Sequence, residues 1–265
     1  MEKPKNIEEY TKWLHTAHRC DISNRTQTYY ESVAHKISKD FRKSLFWKEV
    51  CSTILEQHQK FFLTTKYYLF LDPAEPQIAI KPFDSFFLNT FRKNVLENTH
   101  WPNPPIDGWF LPTNWFLRIN DIVRTYFVIK YLDGVDFFTQ HLSRVAESNK
   151  LSFKIDYEAK EEGYYAVHFL LTFPCDVPKE DWDTVSGDFS VEIQVTTQLQ
   201  EVIRNMLHKY YEVVRSRHGN ALMKWQWDYK SDEFSANYLG HILHYVEGMI
   251  MDIRSKQDKE AGNED

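Results

Sequence analysis

Glycine and proline are scarce, at 8 and 10 in 265 residues, which excludes a collagen-like or linker-rich chain. No self-similar period of about 20 to 50 residues recurs, so a solenoid or propeller is not expected. The three cysteines, Cys20, Cys51 and Cys175, are odd in number, far apart and without a CxxC pair. They suggest neither a disulfide framework nor a zinc site, and the expected setting is a reducing cytoplasm. Long apolar runs are missing too. No window approaches about 18 uncharged apolar residues, and the opening MEKPKNIEEYTKWLH has no apolar signal core. Neither a membrane span nor secretion is expected. Positive charge is in the minority: a formal net charge of −6 weakens non-specific attraction to a polyanion, although a local basic patch can still hold phosphates.

What is abundant is core-forming material. With 42% hydrophobic and 16% aromatic residues, the chain can bury a substantial interior in one large domain, or in a core with helical extensions. From Asn24 to about Lys60 there is no Gly or Pro, and apolar residues recur at spacings of three and four, which predicts one long helix or two. TKYYLFLDP and PQIAIKP switch to short β-prone runs bounded by prolines. FDSFFLNTFRKNVLEN predicts a helix, and the Pro- and Trp-rich THWPNPPIDGWFLPTNW a structured, packed loop. Then DIVRTYFVIKYL, LSFKIDYEA, YYAVHFLLTF and DFSVEIQVTT read as strands. GVDFFTQHLSRVAES and TQLQEVIRNMLHKYYEVVRSR read as helices, the second with Thr197 as N-cap.

This order permits an α/β or an α+β sheet domain. The expected divisions are an N-terminal helical region over 1–74, a core over 75–215, a C-terminal helical region over 216–256, and a disordered polar tail over 257–265.

Three separated segments carry chemistry. In EEGYYAVHF, Gly163 relieves a turn, Tyr164 offers a ring able to stack on a base, and His168 lies four positions on, on the same strand face. In SVEIQVTT, Val191, Ile193 and Val195 form an apolar face, while Glu192 and Gln194 share the opposite one. They supply a carboxylate for a hard metal and an amide for hydrogen bonding. In IKPFDSFFLNTFRKN, Lys81, Arg92 and Lys93 supply positive charge and Ser85 a hydroxyl, suited to polyphosphate. Taken alone, Glu192 reads as a solvent-facing residue of a half-buried strand; its agreement with the other blocks favours nucleotide chemistry. His241, His244 and Glu247 share one helical face without a second ligand cluster, so packing is expected there rather than a metal site. Lys36, Lys39, Arg42, Lys43 and Lys48 read as a solvated face.

Four blocks together resemble the RelA/SpoT-type alarmone synthetase family, with its small single-domain members and its toxin branch. They are KPFDSFFLNTFRK (81–93), DIVRTYFVIKYLDGV (121–135), KEEGYYAVH (160–168), and VEIQVTT followed by His208 and Tyr211. The resemblance implies a mixed-sheet synthetase core of nucleotidyltransferase-like type, flanked by N- and C-terminal helices. It implies Mg2+-dependent transfer of the β,γ-pyrophosphate of ATP to a ribose 3′-hydroxyl of GDP or GTP, of an adenine nucleotide, or of the tRNA 3′ end. An antitoxin or a homo-oligomer would be a partner of such a protein; a membrane would not. The other reading is an inactive synthetase-fold protein that binds nucleotide or regulates.

By position, Glu192 and Asp121 would hold the metal, with Glu192 assisting deprotonation and Arg124 contacting the donor. Lys81, Ser85, Arg92 and Lys93 would surround the donor phosphates. Tyr164, Lys160, His168, Gln194 and His208 would form the acceptor side. The chain departs from the family pattern at several positions. Asp121 stands three residues before Arg124 rather than five, where Ile119 falls; strand alternation would then point Asp121 and Arg124 to opposite faces unless a bulge intervenes. Thr196 replaces an Arg, Leu207 a Glu and Asn89 a common Lys.

Overall fold

The computed structural model of the chain describes residues 2–178, 184–205 and 224–261. In chain order it contains α1 (Ile7–His18), α2 (Asn24–Lys43), α3 (Leu45–Thr65), β1 (Ala79–Ile80), α4 (Phe83–Phe91) and α5 (Trp115–Arg118). There follow β2 (Val123–Ile129), α6 (Leu132–Ser148), β3 (Ser152–Ala159), β4 (Tyr165–Pro178), β5 (Thr184–Thr197), helix α7 over 198–205, and α8 (Asp232–Ala261). The strands form one mixed sheet in the order β1-β2-β5-β4-β3, an α+β arrangement. Among the described residues no helix is long and apolar enough to cross a membrane.

The long helical stretch is two helices because Ser44 leaves the helical region (φ −60°, ψ 153°) and its hydroxyl accepts from Trp47 N at 3.1 Å, capping α3. The two β-prone runs before α4 pair far less than expected. Phe70 makes an isolated bridge to Ile129, and only Ala79–Ile80 forms a strand, antiparallel to Arg124 and Val123. Pro73, Pro76 and Pro82 lack the N–H that a longer ladder would need.

The chain separates into two compact units. The first comprises Met1–Lys48, Gln77–Thr125 and Leu170–Glu192. Its interior is aromatic: Tyr10, Phe86, Phe91 and Trp115 are almost wholly buried. The Trp-rich loop packs as expected, with Trp101 and Trp109 meeting Trp13 at ring distances of 5.3 and 4.9 Å. The helix expected over FDSFFLNTFRKNVLEN changes at Arg92–Leu96 into a π-turn. There the side chain of Asn94, fully buried, donates to Tyr10 Oη (2.7 Å) and Phe110 O (2.8 Å) and accepts from Phe110 N (2.9 Å). A buried amide must satisfy all its groups, and the widened turn accompanies that demand.

The second unit comprises Glu49–Pro76, Tyr126–Phe169 and Ile193–Asp265. Helix α8 is fastened to α6 by Arg254, whose guanidinium reaches both Asp133 oxygens (3.3 and 3.1 Å) and lies over the rings of Tyr67 (3.6 Å) and Tyr131 (4.7 Å). The polar composition from residue 257 predicts disorder, but α8 runs on to Ala261. Gln257–Ala261 contains helix formers and no Gly or Pro, and Lys256 pairs with Asp252 one turn back.

In the same unit His141 is buried with Thr53 Oγ1 3.0 Å from Nε2. Burial first, then Arg144, hold its pKa down at about 4 against an ordinary 6.5. The unfolded chain therefore takes up this proton before the folded one does, and stability present above about pH 6.5 is lost as pH falls towards 4. Denaturant melts of the wild type should lose on the order of 3 kcal/mol more than His141→Met across that window; parallel pH profiles would remove this assignment.

Candidate active site

Residues expected to hold the donor fall in the first unit. The β1–β2 ladder sets their positions: Ala79 lies opposite Arg124, and Lys81 N donates to Ile122 O at 2.9 Å. Lys81 Nζ meets Asp121 Oδ2 at 2.5 Å, with only 12% and 25% of the two side chains exposed. Such a pair is held more firmly than a surface bridge. Asp121 occupies the turn before β2 rather than the strand itself, so strand alternation does not force it away from Arg124. Both act on the same hydroxyl, that of Tyr30: burial raises its pKa, Asp121 raises it further, and Arg124 opposes them. Tyr30 Oη donates to Lys81 O at 2.7 Å, tying α2 to the residue that pairs with Asp121.

Ile119, at the register where the family pattern has an acid, is buried and apolar. Ser85 is exposed in the first turn of α4, whose N-cap is Pro82 and carries no side-chain cap, leaving N–H groups available to an anion. Arg92 and Lys93 are engaged otherwise than expected. Arg92 bonds Glu97 (2.5 Å), the π-turn spacing, and Lys93 lies 5.2 Å from the Phe110 ring. The Arg92 pair is exposed and can exchange partners.

Glu192 closes this unit. On β5, Val191, Ile193 and Val195 have no exposed surface, as their alternation predicts, while Glu192 is 7% exposed. It is not the solvent-facing residue of a half-covered strand. Glu192 and Asp121 are hard oxygen donors of the kind magnesium takes, one or two carboxylates with phosphate and water completing the shell, and in that respect they suit it. Among the described residues no group of three or more His, Cys, Asp or Glu is placed to hold a metal.

The described residues expected on the acceptor side fall in the second unit. Lys160 N and Tyr164 O close the Gly-Tyr turn (3.0 Å), and Gly163 N donates to Lys160 O (3.0 Å). Tyr164 Oη lies 3.1 Å from His168 Nε2, so these two meet on one strand face. Lys160 stands 5.5 Å from the Tyr164 ring and 3.4 Å from Glu158. Gln194 is half-buried on β5; His208, Leu207 and Tyr211 lie outside the described residues. Thr196 is buried and its hydroxyl donates to Tyr165 O (3.3 Å), so this position carries no charge where the family pattern has an Arg.

The sequence reading missed what seats this turn. Gly163 has φ +77°, and a Cβ there would stand 2.4 Å from Asn237 O; a Cβ on Gly240 would stand 2.3 Å from Gly163 O. The turn and α8 touch backbone to backbone. His241 secures the contact, with Nε2 2.8 Å from Glu161 O and Nδ1 2.8 Å from Tyr165 Oη. A glycine inside the helical run YLGHILH was the available signal.

Known proteins can now be compared with this arrangement. Small alarmone synthetase 1 from Bacillus subtilis, crystallised with its product pppGpp, superposes with a TM-score of 0.50 at 12% identity, over 83% of this chain and 98% of that one. The chain has the small alarmone synthetase fold. A GTP pyrophosphokinase family protein from Streptococcus pneumoniae has a TM-score of 0.48 at 12% identity, over 84% and 95% of the two chains. No protein-family model matches the sequence, and no curated protein does. At this identity the synthetase fold is shared, while residue roles rest on the geometry above.

Gly163→Ala should cost about 1–3 kcal/mol through its backbone conformation alone, with the close approach to Asn237 added to it. A thermal melt reads this directly; wild-type stability would mean the turn is not held against α8.

Proposed function

We propose that the chain transfers the β,γ-pyrophosphate of ATP to a ribose 3′-hydroxyl, in first place that of a guanine nucleotide. The observation that carries this reading is the Lys81–Asp121 pair and Arg124 grouped about Tyr30, in the same unit as the buried Glu192. The shared fold with a pppGpp-forming enzyme supports it. Arg124 and Lys81 hold the donor polyphosphate, with Ser85 and the uncapped start of α4 on its outer oxygens. Tyr164 stacks on the acceptor base, and His168 and Gln194 orient its polar edge. The 3′-oxygen attacks the β-phosphorus, its proton passing to Glu192; the bond to the α,β-bridging oxygen breaks, and AMP leaves. Magnesium held by Glu192 and Asp121 would neutralise charge on the phosphates. Positioning and electrostatics supply most of the rate.

The Lys81 contact on Asp121 favours one second reading, a nucleotide-binding module without turnover, because that carboxylate is already neutralised. Thr196 leaves the acceptor side less charged, which suits an acceptor other than GDP or GTP, such as an adenine nucleotide or the tRNA 3′ end.

Incubation with γ-labelled ATP, magnesium and a panel of GDP, GTP, AMP, ADP and bulk tRNA tests all of these. Label should move to one acceptor with release of AMP, and Glu192→Gln should lower the rate by about two to four orders of magnitude. Transfer unaffected by Glu192→Gln removes its role. ATP binding without transfer to any acceptor supports the binding module.

A further inference from the structure

The second unit contains a cavity of about 280 Å³ that none of the proposed chemistry uses. It opens among α6, the ends of β3 and β4, β5, α7 and α8. On β4 and β5 it is lined by Tyr165, Ala166, Val167, Val195, Thr196 and Thr197, and Tyr164, His168 and Gln194 are not among its walls. Its walls are mainly apolar, with Val135, Val167 and Val195 among them, and Tyr165 stacks on His244 at 3.7 Å along one side.

Three carboxylates line it, Asp136, Glu158 and Glu247, and no Lys or Arg does among the described residues. Two of the three have partners. Asp136 accepts from Tyr157 Oη (3.1 Å) and Gln140 (2.7 Å), and Glu158 faces Lys160. Glu247 differs from both. It is 4% exposed; Thr197 and Gln200 approach it, but neither carboxyl oxygen receives a hydrogen bond of full geometry. His244 Nδ1 stands 3.4 Å away, and burial and His241 hold that ring below its ordinary pKa, so it supplies no counter-charge. A buried carboxyl with both oxygens unmatched is costly unless something satisfies it.

We infer that this cavity is a binding site for a small planar cation of amidine or guanidine type with an apolar body. Two adjacent N–H donors match the two Glu247 oxygens, the apolar walls take the body, and the acidic lining favours positive charge. Burial, only partly opposed by Thr197 and Gln200, raises the Glu247 pKa to about 7, so cation binding there releases a proton near neutrality and strengthens as pH rises.

Calorimetric titration of the full chain with benzamidine tests this, at about pH 8 where Glu247 is ionised, with neutral benzamide as the isosteric control. Saturable one-site binding is expected, weakened on the order of tenfold or more by Glu247→Gln and similarly for benzamide. Val135→Phe, which fills the cavity without altering Glu247, should also abolish it and serves if Glu247→Gln fails to fold. No saturable binding to the wild type, equal affinity for benzamide, or unchanged binding in both variants overturns the assignment. The pyrophosphate-transfer assay is read separately and decides neither outcome.

Discussion

Between Val191 and Val195, β5 has no exposed side chain on its apolar face and carries a buried carboxylate on the other. The strand cannot slip by one residue without placing Glu192 in the apolar layer and three aliphatic side chains opposite, a cost of several kcal/mol at about 1.5–3 kcal/mol per buried aliphatic. Register is therefore fixed, and with it the depth of Glu192. The charged groups of the same unit that the proposed reading pairs with that carboxylate come from other segments. The turn before β2 supplies Asp121, β2 supplies Arg124, and the residue after β1 supplies Lys81.

The displaced acid has a physical account. Ile119 is buried at the end of α5, where an ionised carboxylate would be desolvated without a partner. Asp121, two residues on and in a turn, is only partly buried and has Lys81 against it. The chain keeps an acid close to Arg124 by changing the segment that presents it. Pairing with Lys81 stabilises the carboxylate and also holds it, so under the proposed reading a donor would have to compete for or share that contact.

Much of this was legible in the sequence, because periodicity reports burial directly. The alternation in VEIQV, the α6 pattern and the packed Trp-rich loop are local signals, and they agree with the structure. What was not legible depends on distant partners. Tyr30 lies 51 residues from the carbonyl it binds, and Asn94 draws on Tyr10, 84 residues away. The π-turn answers a buried amide that helix propensity does not register. The pairing lost before α4 follows from Pro73, Pro76 and Pro82, which have no N–H to give a ladder. Gly240 carried a visible signal, but only the structure shows Gly163 against it.

The central claim is that donor and acceptor are recognised by separate sets of residues, Arg124 and Lys81 for one and Tyr164 with His168 for the other. Calorimetric titration with magnesium and α,β-methylene ATP measures this most directly. The account predicts that Arg124→Ala weakens donor binding by about tenfold or more while Tyr164→Ala leaves it at the wild-type value. Equal loss in both variants, or wild-type binding by Arg124→Ala, would contradict it.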